Sequence, residues 1–479
     1  MAVPGPPGPP VPNGCEVRRL ESKGNGLFAT APNAAGGEVF TDEPLFVMQH
    51  TGNRRLVQAC ARCCVFVGSL RAQFEAIFAE ERFAPLLNSL VGAVAAWEAE
   101  AGVGSCPVRC TQGCGEIYCS EACRSIHFQH SHNLLCVGPV DHEDHPLLRF
   151  KYHALEHADT LLLAAQVFAH LINRCRACAG DANTLRNLMA EMLSFCHAPF
   201  RDACRAPPGR EKDAEFLAHT EGVVREAASS LKAALDLCAP AEAAVLFESG
   251  STFLSELLGL FEYNNIDVEV ASPVGSLLAA RGRKLAACYT GSAPEQAAAE
   301  LALLERLLRE KEWVMRCIWG EETTGIYDDD EEVDDGDDCD HDAMMGGDGE
   351  ADAQRGHGEA ITMAMADARR DVDAMSFEQL LDAPWPALHG VALFATVARI
   401  NHSCEPNLKI VFPAGSARLL AVALSPISPG EELTISYIRQ EEDVQIRRRR
   451  LLEYGFLCSC DRCLREDSGG ARRAQRRLK

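Results

Sequence analysis

Three stretches of this 479-residue chain hold residue types that could do chemistry. RINHSCEPN (399–407) contains an Asn–His pair and a lone cysteine, Cys404. GEELTISYI (430–438) is a β-rich run ending near Tyr437, and EYGFLCSCDRC (453–463) sets Tyr454 and Phe456 ahead of a Cys458-x-Cys460-x-x-Cys463 knot. Three thiolates so spaced are soft metal donors, one ligand short of a closed tetrahedral zinc site. The rest of the chain must bring the remaining parts of a site to this place.

A second group of donors lies upstream. Cys60 pairs with Cys63 or Cys64 in CARCC, and a long helix-leaning stretch around Phe74, Phe78 and Trp97 follows. Donors resume as Cys114-x4-Cys119-x3-Cys123-x8-His132-x3-Cys136, with Cys110 or Cys106 as a further member. Two close pairs from separate segments suit structural zinc. Ligands three or four residues apart on a helix share a face. Cys175-x-x-Cys178 has no second pair nearby and no βαβ context, so packing or surface thiols are expected there.

Twenty-two cysteines in a large chain with no secretory pattern in MAVPGPPGPPVPNG point to a reducing compartment, where clustered thiols mean zinc before disulfides. That start reads as a flexible tail. No run approaches the ~18 apolar residues of a membrane span. The net charge of −23 argues against bare nucleic acid and for basic protein partners.

The positioning elements follow from periodicity. Residues 16–50, including Lys23-Gly24-Asn25-Gly26, alternate and break at Gly and Pro, predicting strands and turns. Apolar spacing predicts helices over 147–239 with Pro240 as a stop, over 241–262, and over 297–320 with Leu301, Leu304 and Leu308 on one face. YNNIDVEVASP (263–273) predicts a turn into a short strand. Asp/Glu-dense 328–358, including Cys339 and His341, reads as a solvated, disordered loop. Short β-runs return from Pro384, and the chain ends in the basic RRAQRRLK.

Taken together, GNGLFAT, the Cys/His cluster, RINHSCEPN, GEELTISY and CSCDRC resemble the SET-and-MYND-domain family of protein lysine methyltransferases, in the family's order from about residue 16 to 464. The resemblance implies an α+β SET fold of short β-sheets, interrupted by a MYND zinc finger and a helical insert, and closed by a zinc-binding post-SET segment. The implied domains are a Pro/Gly tail (1–14), N-terminal SET part (15–59), finger with a long internal insert (60–136) and helical insert (137–327). An acidic loop and linker (328–383), catalytic SET part (384–440), post-SET segment (441–464) and basic tail (465–479) complete it. The long separation of Cys63 from Cys110, and an end soon after Cys463, look like the divergent branch typified by the family's member five. The spacing Cys110-x3-Cys114 departs from the usual x2.

By the same resemblance three zinc ions are expected. One set is Cys60, Cys63, Cys119 and Cys123; another is Cys110, Cys114, His132 and Cys136; the third is Cys404, Cys458, Cys460 and Cys463. S-adenosylmethionine is the implied cofactor, with Tyr437 as catalytic tyrosine and Tyr454 lining a lysine channel. Lys23 and Asn25 would meet its carboxylate and amino end, Asn401 and His402 would hydrogen-bond it through backbone and amide, and Phe456 would stack on its adenine. Asn264, or its neighbour Asn265, would add a further contact. The implied activity is methylation of a lysine on a histone tail, a ribosomal protein or another protein, in cytoplasm or nucleus. The competing reading is a catalytically inactive adaptor whose finger recruits proline-rich peptides.

Overall fold

The computed structural model describes residues 11–21, 23–101, 106–139, 144–204, 214–289, 294–322, 365–452 and 454–466. The acidic stretch 328–358, most of the Pro/Gly start and the basic end beyond 466 lie outside these. Two compact units emerge, one from residues 1–67, 105–271 and 387–479, the other from 68–104 and 272–386.

In the first unit the strands are short. β1 (Cys15–Leu20) and β2 (Gly24–Ala29) form an antiparallel hairpin. β3 (Glu38–Asp42) and β4 (Pro44–Gln49) follow, then the two-residue strands β5 (Val108–Arg109) and β6 (Ile117–Tyr118). β7 (Asn265–Val270) and β8 (Leu388–Phe394) precede β9 (Asn401–His402), β10 (Leu408–Val411), β11 (Leu419–Ala423) and β12 (Thr434–Ile435). One antiparallel sheet has the order β4–β8–β7 and another β10–β11–β3. β9 and β12 pair in parallel, Thr434 opposite Asn401 and Ile435 opposite His402.

Side chains on a strand alternate between faces, and the β4–β8–β7 sheet uses both. Phe46, Met48, Val391 and Leu393 enter a helical core with Phe168, Leu257 and Phe261. Val47, Ala392 and Phe394 face a β-core with Leu27, Phe40, Leu419 and Ile435. The helical layer includes Pro146–His157, Thr160–Ala177, Ala214–Asp236 and Thr252–Asn264.

Two expectations change here. The single helix over 241–262 is two, Pro240–Leu246 and Thr252–Asn264, broken where Gly250 takes φ +67°, a left-handed conformation open to glycine. Pro240 does not stop the preceding helix, which ends at Asp236; it opens the next one, where a missing N–H is harmless. The span 137–327 is also divided. Its residues 265–270 pair with β8 in the first unit, whereas 272 onward joins the second.

That second unit is built from two separated stretches, one within the finger sequence and one between β7 and β8. Its helices include Leu70–Ile77, Val91–Ala101, Pro273–Tyr289, Pro294–Glu322, 365–373 and Phe377–Asp382. Phe74, Trp97, Leu278, Leu304, Leu308 and Trp385 share its core. Lys311 is wholly buried there, its ammonium donating to Pro384 O at 2.9 Å and paired with Glu312 at 3.1 Å.

The stretch Ser194–Ala198 lies along helix Thr252–Asn264. It is held by Phe200 N donating to Ser255 Oγ (3.0 Å) and by Asn264 Nδ2 donating to Cys196 O (2.7 Å). At Gly259 the backbones approach so closely that a Cβ would sit 1.9 Å from Ala198 O. Gly259→Ala is therefore expected to destabilise the protein by about 1–3 kcal/mol, the usual range for overpacking, in chemical denaturation. An unchanged midpoint would show that the stretch is not anchored this way.

Candidate functional site

Twelve of the predicted donors gather into three sets of four, each with ligand atoms within 4.8 Å of one another. A zinc ion bound to sulfur at about 2.3 Å in a tetrahedron requires sulfurs about 3.8 Å apart. In Cys60, Cys63, Cys119 and Cys123 the Sγ separations include 3.4, 3.6 and 3.8 Å. Cys119 follows β6, and Cys123 lies in helix Glu121–His127, whose N-cap Ser120 accepts from Cys123 N. The set takes Cys63; Cys64 is buried in the β-core with φ +59°.

In the second set His132 Nε2 lies 3.3 Å from Cys110 Sγ and 3.4 Å from Cys114 Sγ. Cys110 belongs to it and Cys106 stands outside. His132 rides on a π-helical turn, Phe128–His132, which makes room for both it and Cys136. In the third set Cys404 Sγ lies 3.8 Å from Cys458 and 3.5 Å from Cys463. The donor chemistry and spacing of all three sets fit zinc, which would act structurally by closing each set. Cys175 and Cys178 join no set among the described residues.

Beside the third set is a cavity of about 760 Å³, within the range of small-molecule sites. Its walls include Lys23, Asn25, Asn264, Asn401, Tyr437, Tyr454 and Phe456, drawn from five segments of the chain. Of the two adjacent asparagines, Asn264 is on the wall and Asn265 is not among its residues. Asn401 follows from β9, whose pairing with β12 also delivers Tyr437 two residues beyond Ile435.

The aromatic wall is close-set. Tyr437 and Tyr454 rings are 5.2 Å apart, and Phe456 stands nearly edge-on to Tyr437 at 6.4 Å. The Tyr437 hydroxyl donates to Ile400 O at 2.6 Å, so its lone pairs remain available to other groups. Burial, reinforced by Tyr454, pushes the Tyr437 phenol well above its ordinary range, and it stays neutral at physiological pH. On the polar wall, Asn401 Nδ2 donates to Asn25 O (3.1 Å) and Glu432 Oε1 (2.8 Å), and Lys23 pairs with Glu432 Oε2 at 3.2 Å. Gly26 permits this approach, since a Cβ there would sit 3.1 Å from Asn401 Nδ2.

The His402 ring is buried and takes no part in the wall, which is compatible with the backbone contact expected of it. Nδ1 accepts from Tyr437 N at 3.0 Å, which leaves the proton on Nε2, 3.2 Å from Cys404 Sγ. Burial pulls its pKa down to about 4.

Some participants had no sequence expectation. Ser194, Phe195, Cys196, Tyr263 and Arg399 are also on the cavity wall. Arg447 is 1% exposed; it contacts Cys463 Sγ at 3.6 Å and Glu466 at 2.7 Å. Val444, Arg447 and Leu451 share a helix face, so the spacing of the run held a signal. A buried tetrathiolate zinc centre carries net negative charge, and this guanidinium answers it.

A SET-domain family profile matches residues 281–438. "Histone-lysine N-methyltransferase ATXR2" of Arabidopsis thaliana is 24% identical over 514 aligned residues, covering 95% of this chain and 91% of the relative. A "SET and MYND domain-containing protein" of Dictyostelium discoideum is 44% identical over 78 residues, 16% of this chain and 22% of its own. The human "Protein-lysine N-trimethyltransferase SMYD5" is 42% identical over 81 residues, 16% and 19% respectively. In the last two the match spans about a fifth of the relative's length. The chain therefore carries a SET domain of helices and short antiparallel sheets, with cysteine clusters that fit zinc fingers, and it is similar to SET/MYND-type methyltransferases.

Metal content tests the three sets. The intact protein is expected to hold three zinc equivalents by mass spectrometric metal analysis, Cys63→Ala or Cys404→Ala two, and Cys64→Ala three. Equal loss from Cys64→Ala and Cys63→Ala would overturn the first assignment.

Proposed function

We propose that this protein is an S-adenosylmethionine-dependent protein-lysine N-methyltransferase. The observation that carries the reading is the cavity in which Lys23, Asn25, Asn264, Asn401, Tyr437, Tyr454 and Phe456 meet beside the Cys404 set. The bound cofactor supplies a sulfonium methyl group and its own leaving group, so no metal is needed for transfer. Lys23 and Asn25 would hold its carboxylate and amino end, Asn401 and Asn264, whose amide hydrogens are donated within the protein, would accept through their side-chain oxygens, and Phe456 offers a face for the adenine. His402 would contribute through its backbone, its ring being engaged elsewhere.

The protein must also present a neutral amine. A free lysine, with pKa about 10.4, is neutral in roughly one part in 2,500 at pH 7. An apolar channel walled by Tyr437 and Tyr454 disfavours the ammonium and lowers that pKa. With its proton committed to Ile400 O, Tyr437 offers lone pairs that orient the amine and polarise the methyl hydrogens. Held as a neutral phenol, it has no phenolate populated to act as a base, so the lysine proton leaves to solvent before transfer. Alignment of the two reacting atoms can supply up to roughly 7–11 kcal/mol.

The substrate class is a lysine-bearing protein. The similarity to histone-lysine N-methyltransferases favours histones, and the net charge of −23 favours basic targets generally. Such substrates place the protein in nucleus or cytoplasm. No described helix is long and apolar enough to cross a membrane. The stretch between Cys63 and Cys110 supports the divergent branch typified by member five. Exposed Ile126 and Phe128 beside the finger would serve a proline-rich peptide.

Transfer of tritiated methyl from S-adenosylmethionine to whole-cell protein tests this. Tyr437→Phe should lower labelling by about 10²-fold or more, as when one preorganised polar group is lost, with calorimetric cofactor affinity little changed. Asn401→Ala should weaken the affinity itself. The wild-type rate should climb with pH between about 7 and 9 as lysine deprotonates, and Tyr437→Phe should keep that slope because the phenol stays neutral throughout. A wild type that labels nothing and gives no heat with the cofactor would leave the adaptor reading.

A further inference from the structure

Away from the cavity, the packed helices Pro146–His157 and Ala214–Asp236 bring three histidines together. His153 and His157 are one helical turn apart on the first helix, with ring centroids 4.5 Å apart. His219 comes from the second helix, 5.8 Å from His157. They line a shallow pocket of about 450 Å³ that also includes Arg225 and Glu226. None of these residues has a part in the proposed methyl transfer.

The geometry points to a divalent transition-metal site built from His153, His157 and His219, with Glu226 or water as a further ligand. Zinc–nitrogen bonds are about 2.0–2.1 Å, so a tetrahedral ion sets imidazole centroids roughly 5 Å apart. The observed 4.5 and 5.8 Å bracket that spacing. The buried His153 is already oriented. Its Nε2 lies 2.9 Å from Val223 O, a group that can only accept, so the proton is on Nε2 and the Nδ1 lone pair is left for a ligand. A carbonyl fixing the tautomer of a ligating histidine is the usual supporting arrangement at metal centres.

The ring nitrogens do not converge here as the three cysteine sets do. Binding requires His157 and His219, both exposed, to turn about their side-chain bonds, which exposed rotamers do readily. Arg225 at the rim opposes a cation and Glu226 offsets it. Imidazole donors select zinc, copper, nickel or cobalt over magnesium or calcium. The all-nitrogen and oxygen donor set separates this site from the thiolate centres, which makes cobalt the discriminating probe.

Equilibrium dialysis of the full chain against Co²⁺, with its cysteine-bound zinc retained, is expected to add one equivalent. That equivalent should show d–d absorption without sulfur-to-cobalt charge transfer. His219→Gln should weaken its binding at least tenfold, and His157→Ala with His219→Ala should abolish it while zinc content and thermal midpoint hold. The proposal fails if no cobalt is added, if the double variant takes up cobalt equally, or if the added cobalt shows charge transfer from sulfur.

Discussion

The site depends on one imidazole. His402 lies between Cys404 and the backbone of Tyr437, accepting from the tyrosine N–H on one side and presenting its own N–H to the thiol on the other. The backbone donor dictates the tautomer, because an N–H can be met only by an unprotonated nitrogen. Burial keeps the ring neutral, which preserves that acceptor. A protonated ring would strand a backbone N–H at a cost of about 1–3 kcal/mol. The metal set thus transmits position, through a rigid spacer two residues from a ligand, to the residue proposed to orient the reacting groups.

Around this link the polar wall is held in a similar way. Glu432 uses one carboxylate oxygen for Asn401 and the other for Lys23. The Lys23 pair is half exposed and contributes little to stability. Its consequence is orientational: an amide and an ammonium are already arranged about a carboxylate. The parallel pairing of β9 and β12 fixes the same region from beneath, since a one-residue slip would exchange buried His402 for Asn401 at the wall.

Sequence spacing revealed much of this and missed the rest for physical reasons. Ligand types at short separations are legible because metal chemistry restricts them, and the twelve donors named from spacing and resemblance gather into the three sets. The cavity wall was legible where the motifs carried it, at Tyr437, Tyr454, Phe456 and Asn401. Ser194, Phe195 and Cys196 were not, because a loop reaches a site through tertiary contacts such as the approach at Gly259, which leave no periodic trace. The sequence does not say which of two neighbours points to the wall: Asn401 does, and the His402 ring is buried away from it. Arg447 sits in a run of four arginines (447–450) of the kind usually solvated, though the spacing of Val444 and Leu451 around it marks a buried face.

The division into two units follows from how sheets tolerate insertions. β7 and β8 remain fully paired from Asn265–Leu393 to Val270–Leu388, although the sequence between them supplies most of the second unit. The entropy of closing a loop grows only as the logarithm of its length, so a long insertion costs the pairing little beyond a short one. What it must do is bury its own apolar surface, and Trp97, Leu304, Leu308 and Trp385 do so in a core of their own. The finger sequence contributes Phe74 and Trp97 to that core from a second insertion between Cys63 and Cys110, whose ligand sets close on either side of it. Neither half holds that whole core alone: Trp97 from one donates its indole N–H to Glu300 from the other, at 2.5 Å. Two interruptions that would each have been a structural burden are accommodated because they complete one another.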